Sequence, residues 1–187
     1  AFYGPKLDVQ SVNVYGKEDT LFTIQIDFEL AERFDMSYVD ADGNKKRPFI
    51  VHRSSIGCYE RTLALLIEKY NGAVPAWMMY TQVKVLSLTD RTAAKTEEIT
   101  AALRLKGIRA EVDNRSEKVG FKIREAQLEK IPYMLVVGAK EEEDGLVSVR
   151  SRFEGDEGQK SLTDFLAAIK MEIQAKTARK VKKEDDK

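Results

Sequence analysis

The first part of the chain shows the alternation of half-buried strands. Residues 20–28 (TLFTIQIDF) alternate apolar and polar side chains, as a strand with one covered face does. Residues 36–39 are predicted to pair with residues 49–52 across the turn-forming segment 40–44 (DADGN). Because these segments follow one another closely in sequence, we expect antiparallel pairing.

The period changes after this segment. Leu63, Leu66, Ile67 and Tyr70 fall at helical spacing, which predicts a helix over residues 59–70 that ends at Asn71-Gly72. A domain boundary is predicted near residues 77–80 (WMMY), because a different architecture begins beyond it.

The second part of the chain alternates predicted strands with predicted helices, which indicates a doubly covered, mostly parallel or mixed sheet. Asp90 is a plausible N-cap for the first helix of this part, and Gly107 closes that helix. The strands are predicted at 83–86, 108–112, 133–137 and 146–150, and the helices around Ile99, Ala102 and Leu103, over 119–129, and around Phe165, Ile169 and Ile173. The fold class is therefore α/β, or α+β for the chain as a whole.

Composition restricts the kinds of protein that the chain can be. Of its 187 residues, 43% are hydrophobic and 33% charged, a soluble globular balance, and no apolar run approaches the roughly 18 residues that span a membrane. The 31 basic and 31 acidic residues cancel, so any nucleic-acid site must be a local patch. The basic-leaning tail, residues 177–187, is expected to be a solvated, frayed helix end. The lack of an initiator Met hints at a longer parent chain.

Cysteine and histidine usage limits metal and redox chemistry. Cys58 and His52 are single, so neither an intrachain disulfide nor a complete zinc site of Cys and His can form from this chain. A reducing, cytoplasmic setting is the natural expectation.

One motif carries recognisable chemistry. His52-Arg53, followed by the segment 57–61 (GCYER), leads directly into the apolar helix. The arrangement resembles the third signature motif of class II aminoacyl-tRNA synthetases. Gly57 can let the backbone approach a nucleotide closely, and Arg61 on the first helical turn can stack on adenine or meet phosphate. Such a pentapeptide alone is common by chance.

The surrounding segments make the resemblance specific. In their order and spacing they are similar to the threonyl-tRNA synthetase family over nearly the whole chain: residues 1–6 (AFYGPK), 23–28 (TIQIDF), 45–48 (KKRP), 117–125 (EKVGFKIRE) and 131–138 (IPYMLVVG). The resemblance implies the C-terminal part of an antiparallel-sheet catalytic domain over residues 1–80. A mixed-sheet α/β/α anticodon-binding domain would follow over 81–176, and the charged tail over 177–187.

The resemblance also implies roles in the catalytic domain. His52 would be one of three ligands of a catalytic Zn²⁺ whose other two, a cysteine and a histidine, lie upstream of position 1. A zinc ion with open positions can hold the amino and hydroxyl groups of threonine together, which rejects valine. Taken alone, His52 would more often be an ordinary core or surface histidine.

Other family positions would face the substrates. Arg61 would contact ATP, which is used with Mg²⁺, and Gln25 and Gly57 would line the adenylate pocket. Tyr3 and Lys6 match positions that face the substrate, although Tyr3 could equally be a core residue and Lys6 a solvated surface charge.

The second domain would read the anticodon of tRNA(Thr). Threonine codons begin A-C, so the matching anticodons end in G-U. Charged and amide side chains read the exposed edges of single-stranded bases, and a Glu accepts hydrogen bonds from guanine while an Arg donates to carbonyl oxygens. The family's base-reading positions correspond to Ser116, Lys118, Arg124, Glu141 and Arg150.

The sequence departs from the family pattern at Leu21, Phe22 and Cys58, which leaves three hypotheses open. The first is a threonine–tRNA ligase that is a homodimer through parts absent here, this chain alone being inactive. The second is a diverged paralogue or fragment that only binds tRNA. The third is a synthetase copy whose altered pocket evades an inhibitor.

Overall fold

The computed structural model describes residues 2–179, which form two compact units that divide between Gly72 and Ala73. The first unit has a three-stranded antiparallel sheet in the order β1-β2-β5 and a separate two-stranded ribbon, β3-β4. Its elements are β1 (Lys6–Val12), β2 (Glu18–Asp27), α1 (Leu30–Arg33), β3 (Tyr38–Val39), β4 (Lys45–Lys46), β5 (Ile50–Arg53) and α2 (Tyr59–Tyr70).

The expected pairing of residues 36–39 with 49–52 is wrong. Strand β3 pairs with β4, in the register Val39 with Lys45, because the turn closes tightly: the Gly43 amide donates to the Asp40 carbonyl over 2.9 Å. Strand β5 lies beyond this ribbon and pairs instead with β2, in the register His52 with Gln25. The antiparallel character of the first unit is as expected.

Helix α2 has the predicted bounds, and it ends where the sequence indicates. Asn71 takes a left-handed conformation (φ 49°), and the Gly72 amide donates to the Ile67 carbonyl over 2.9 Å. Glycine and asparagine tolerate the left-handed backbone that ends a helix in this way.

The second unit is a five-stranded mixed sheet with helices on both faces, which confirms the predicted fold class. The sheet order is β10-β9-β8-β6-β7; β6 is parallel to β7 and β8, and the other pairs are antiparallel. Its elements are β6 (Val83–Ser87), a 3-10 turn (Asp90–Thr92), α3 (Ala93–Leu105), β7 (Ala110–Asp113), α4 (Val119–Leu128), β8 (Tyr133–Val137), α5 (Ala139–Asp144), β9 (Leu146–Ser151), β10 (Gly155–Ser161) and α6 (Leu162–Gln174).

Each face of this sheet has its own apolar cluster, as strand alternation requires. Val85 of β6 belongs to the larger cluster, which α3 and α6 cover with Leu103 and Phe165. Leu86, the next residue of β6, belongs to a smaller cluster on the opposite face, which α4 covers with Ala126.

Some elements were not expected. Strands β1, β4 and β10 and helices α1 and α5 have no counterpart in the sequence prediction; β10 (GDEGQKS) contains no apolar residue to alternate. Asp90 does not cap α3 but lies inside the 3-10 turn that precedes it. There Thr92 is fully buried, and its hydroxyl donates to the Val137 carbonyl over 3.0 Å.

Residues just before the predicted boundary pack with the second unit. The Arg109 guanidinium donates to the carbonyls of Trp77 and Met79 over 2.9 and 2.8 Å, and the Gln82 amide donates to the Ala76 carbonyl over 3.0 Å. The compact unit therefore begins at Ala73, while the domain ranges 1–80 and 81–176 stay a prediction.

The expectation of a frayed end after α6 does not hold at Arg179. Its guanidinium lies 4.9 Å from the centroid of the Phe153 ring and donates to the Tyr133 hydroxyl over 2.7 Å. It also donates to the Glu154 carboxylate over 2.6 Å. Residues 180–187 of the predicted tail lie outside the described residues.

Lys122 of α4 is 1% exposed, and its ammonium donates to the Ser87 carbonyl over 3.0 Å and to the Asp113 carbonyl over 3.3 Å. These bonds tie α4 to the carboxyl ends of β6 and β7. Lys122→Met is expected to lower the free energy of unfolding by about 1–3 kcal/mol, because buried acceptors lose a charged donor. Urea unfolding measures the change, with Lys106→Met at an exposed position as control; equal stability of the two variants would contradict the assignment.

Candidate functional site

The first unit contains an open cleft of about 680 Å³ above the ends of β2 and β5. Its walls come from the N-terminal segment, the two strands and α1: Phe2, Tyr3, Thr23, Gln25, Asp27, Glu29, Leu30, Arg33, His52, Arg53 and Ser54. Three residues expected at a substrate site, Tyr3, Gln25 and His52, are therefore brought together.

Strand register places the central side chains of this cleft. Gln25 pairs with His52 across β2 and β5, and Asp27 lies two residues along β2, on the same face as Gln25. The Tyr3 hydroxyl donates to the side-chain oxygen of Gln25, and the Tyr3 and His52 rings meet edge to face at 6.5 Å between centroids.

His52 has a buried carboxylate partner that the sequence analysis did not single out. The Nε2 atom of His52 lies 3.0 Å from Oδ2 of Asp27, whose residue is 3% exposed. A proton on Nε2 that is donated to this carboxylate leaves Nδ1 as the position with a free lone pair. The alternation of residues 23–28 already places Asp27 on the face of Gln25, which is the signal that could have found it.

The Asp27 carboxylate is itself fixed by the chain that follows β2. Its Oδ1 atom accepts hydrogen bonds from the amides of Leu30 and Glu29 over 2.8 and 2.9 Å. The Leu30 amide above all, with His52 and Glu29, holds the pKa of Asp27 below its usual range against the opposing effect of desolvation. The carboxylate is thus ionised and cannot rotate freely.

Lys6 and Arg61 lie outside the lining of the cleft. The Lys6 ammonium pairs with the Asp8 carboxylate over 2.9 Å on β1. The Arg61 guanidinium donates to the Thr20 carbonyl over 2.9 Å, near the opposite end of β2 from Asp27. The expected contacts of both residues with substrates stay predictions.

Gly57 is required by the packing of the protein itself. Its φ is +73°, and a Cβ atom at this position would lie 2.1 Å from the Leu21 carbonyl oxygen. Only glycine therefore allows the motif loop to approach β2 so closely. Leu21 and Phe22 lie beside this loop on β2, and Cys58 is the N-cap of α2, so these departures from the family pattern lie together.

Part of the expected base-reading set of the second unit lies at the carboxyl edge of its parallel strands. Arg150 does not, because on β9 it lies opposite Met134, near the amino end of β8. Ser116 and Lys118 follow β7 and line a shallow pocket there, and Glu141 follows β8 on α5. Arg124 projects from α4, and helical spacing places it on the flank away from the ion pair of Glu125 with Arg115. This edge of an α/β sheet is where ligands commonly bind.

Glu141 and Arg150 are each held by neighbouring side chains. Glu141 Oε1 accepts from the Ser148 hydroxyl and the Gln159 amide over 2.8 and 2.9 Å. Desolvation opposes ionisation of Glu141, but the hydrogen bonds outweigh it and hold the pKa of this carboxyl below its usual range. Arg150 donates to Asp156 over 3.0 Å. Gln159 and Asp156 lie on β10, which the hydrophobic pattern does not reveal.

Two family models match the chain, one in each unit. The model of the class II tRNA synthetase core domain (G, H, P, S and T) matches residues 1–70, and that of the anticodon-binding domain matches residues 82–172. A threonine–tRNA ligase of Clostridium perfringens strain 13 is 62% identical over 173 residues, which are 92% of this chain and 27% of the relative. That of Clostridium botulinum strain Eklund 17B is 61% identical over 176 residues, 94% of this chain and 27% of the relative.

One solved structure is similar to this chain in both sequence and fold. The RNA-binding domain of threonyl-tRNA synthetase from Cryptosporidium parvum Iowa II superposes with a TM-score of 0.79 at 32% identity, covering 91% of this chain and 44% of that one. The chain belongs to the C-terminal region of the threonyl-tRNA synthetase family. It spans about a quarter, 27%, of the length of the curated relatives.

Membership in the threonyl-tRNA synthetase family confirms the expected family and fold. The predictions of zinc, of ATP, of each site residue and of a cytoplasmic location stay predictions. Within residues 2–179, no group of three or more His, Cys, Asp or Glu side chains could hold a metal ion, and no helix is long and apolar enough to cross a membrane.

The ionised Asp27 has a consequence for stability against pH. Because its folded-state pKa is depressed, its contribution is full above the unfolded-state pKa near about 4 and is lost as pH falls through the folded-state value. We expect Asp27→Asn to be less stable than the parent chain at pH 7, with the gap narrowing below about pH 4. Urea unfolding across this range measures the gap.

Asp19→Asn, at the exposed start of β2, is the matched control for this titration. A gap between the parent chain and Asp27→Asn that stays constant from pH 7 to pH 3 would contradict the role given to the Asp27 carboxylate.

Proposed function

We propose that this chain is part of a threonine–tRNA ligase, which activates threonine with ATP and transfers it to tRNA(Thr). The supporting observation is the continuous match to threonine–tRNA ligases over 92% of the chain, which includes both the cleft and the base-reading edge. As in the family, the complete protein is a homodimer, uses ATP with Mg²⁺ and carries a catalytic Zn²⁺ to which this region contributes one ligand.

The first unit holds and orients the substrates. His52 would hold the zinc ion through Nδ1, while Asp27 fixes the ring through Nε2 over 3.0 Å. A carboxylate behind a ligating histidine is the usual support of such sites. The zinc ion, when bound, supplies open positions that chelate the amino and hydroxyl groups of threonine. Gln25, oriented by the Tyr3 hydroxyl, faces the same cleft.

The nucleotide binds near Thr20, at the other end of β2 from Asp27. Arg61 is held by the Thr20 carbonyl and carries a permanent positive charge that suits phosphate or the face of adenine. Lys6 does not lie at this end, because it pairs with Gln25 in the register of β1 with β2. Its cation therefore lies beside the threonine end of the site, paired with Asp8 until a substrate oxygen competes for it.

The second unit selects the tRNA. Glu141 accepts a hydrogen bond from the edge of guanine, and Arg150 donates to carbonyl oxygens, so the pair suits the G-U that ends threonine anticodons. Ser116, Lys118 and Arg124 extend the surface beside them with donors for phosphate and base edges.

The zinc role of His52 predicts a metal-binding defect. In the full-length ligase, His52→Ala is expected to abolish stoichiometric zinc, and Asp27→Asn to lower zinc affinity by about 10–100-fold. Chelator competition and metal analysis measure both effects without an activity assay. Glu32→Gln, on the exposed side of α1, is the control. Retention of one tightly held zinc ion per chain by His52→Ala would overturn the ligand assignment.

Anticodon reading predicts base-selective binding by the chain itself. An anticodon stem-loop ending in G-U is expected to bind more tightly than one with either base changed, and Arg150→Ala is expected to reduce that preference by about 1–3 kcal/mol. Fluorescence anisotropy at one fixed salt concentration measures it.

Arg104→Ala is the matched control, because α3 lies on the opposite face of the sheet. It should leave the base preference intact. Equal, salt-sensitive binding to every stem-loop would instead support a diverged paralogue that binds tRNA without reading it.

A further inference from the structure

Two neighbouring strands present four polar side chains in two facing pairs. In the antiparallel register of β9 with β10, Gln159 lies opposite Ser148, and Asp156 lies opposite Arg150. Side chains that face one another in this way share one face of the sheet. This face is the one that α4 covers further along, and it stays open over β9 and β10, where Gln159 and Asp156 are exposed.

The shared face depends on an irregularity in β10. Asp156 and Gln159 are three residues apart, so regular alternation would send them to opposite faces. The register shifts between Asp156 and Gly158, with Glu157 as the extra residue, and Gly158 takes φ +77°. Glu157 turns instead to Lys160, over 2.7 Å. Bulges commonly re-aim side chains in this way beside functional sites.

The first pair fixes a carboxylate. Glu141 Oε1 accepts from both Ser148 and Gln159, and Oε2 accepts from the Gly138 amide over 3.0 Å. A carboxylate has about four acceptor positions, so three are filled and the plane of the group is set. The approach of Gly138 is close: a Cβ atom there would lie 2.9 Å from Oε2.

The second pair fixes a guanidinium. Asp156 accepts from one nitrogen of Arg150 over 3.0 Å, and a guanidinium carries five N–H donors in a rigid fork. One contact therefore sets the direction of the fork and leaves most donors for a ligand. The Glu141 carboxylate, held at position 148, and the Arg150 guanidinium therefore lie two strand residues apart on one open face of the sheet.

We propose that β10 is the positioning element of the anticodon reader, with Gln159 orienting Glu141 and Asp156 orienting Arg150. The inference rests on the proposed function and names residues that support it without themselves being assigned to the bases. A side chain that is ordered before binding loses less conformational freedom in the complex, so these contacts raise selectivity for a base that presents a donor to the one acceptor position left on Glu141.

The test uses the present chain and two stem-loops that differ by one group. One has guanine at the middle anticodon position and the other inosine, which lacks only the exocyclic amine. The parent chain is expected to prefer guanine by about fivefold or more, since each good base contact discriminates on that scale. Gln159→Met, which keeps the length but removes the amide, is expected to lose most of this preference.

Gln174→Met, an equivalent change on α6 at the other face of the sheet, is expected to keep the full preference. A positioning role also requires that Gln159→Met has no further effect once Glu141→Gln is present, which a double-mutant cycle measures. Asp156→Asn is expected to couple to Arg150→Ala in the same manner. A merely structural role would give additive losses in both cycles.

The outcomes distinguish a failure of anticodon reading from a failure of the positioning role of β10. If the parent chain binds guanine and inosine stem-loops equally, Glu141 does not read the exocyclic amine and the positioning role of Gln159 is overturned. Anticodon reading itself fails only if the stem-loops with changed G or U also bind equally. If the parent chain discriminates and Gln159→Met discriminates equally well or binds more tightly, the reader stands and the positioning role of β10 is overturned. Loss of preference with preserved thermal unfolding, coupled to Glu141, supports it.

Discussion

Strand register is the constraint on which both candidate sites depend. In the first unit, the pairing of Gln25 with His52 brings a side-chain amide, an imidazole and, two residues along, the Asp27 carboxylate to one cleft. In the second unit, the pairing of Ser148 with Gln159 brings two donors onto one carboxylate. A shift of one residue in either ladder would send these groups to the opposite face, because side chains alternate with a period of two.

Register is in turn protected by what packs around the strands. The central strands of the second unit, β6 and β8, are covered on both faces, so a slip would expose apolar side chains to water. Lys122 adds a polar tie at the carboxyl ends of β6 and β7, where its ammonium reaches two strands at once. These buried Lys122 contacts thereby hold in place the carboxyl edge of the sheet, where the proposed tRNA contacts of Ser116 and Lys118 lie.

The hydrophobic pattern predicts what burial decides and misses what polar contacts decide. The apolar run of β8 has the bounds that the sequence indicates, since it is driven by apolar burial. Helix α2 also has the predicted bounds, from helical spacing and its end signal, although none of its residues is buried. The pairing of β5 was misassigned because adjacency in sequence favoured a hairpin that the turn at Gly43 closes earlier. Strand β10 gives no apolar signal at all.

The candidate sites divide in the same way. Motif resemblance supplied His52, Gln25, Glu141 and Arg150, whereas the residues that hold them, such as Asp27 and Gln159, were not singled out. A hydrogen bond between positions 27 and 52, or 141 and 159, depends on a register that only the folded chain fixes. Local sequence rules therefore find reactive side chains more readily than their supports.

The geometry of β2 also separates two questions that the departures from the family pattern raise. Leu21 and Phe22 stand near Thr20, which holds Arg61, while Asp27 holds His52 at the other end of the strand. Six residues of strand span roughly 20 Å. Bulkier side chains at positions 21 and 22 are therefore expected to act on the proposed nucleotide end of the site, through Gly57 and Arg61, and to leave the orientation of His52 unchanged. An altered fit for adenosine is compatible with ordinary selection of threonine.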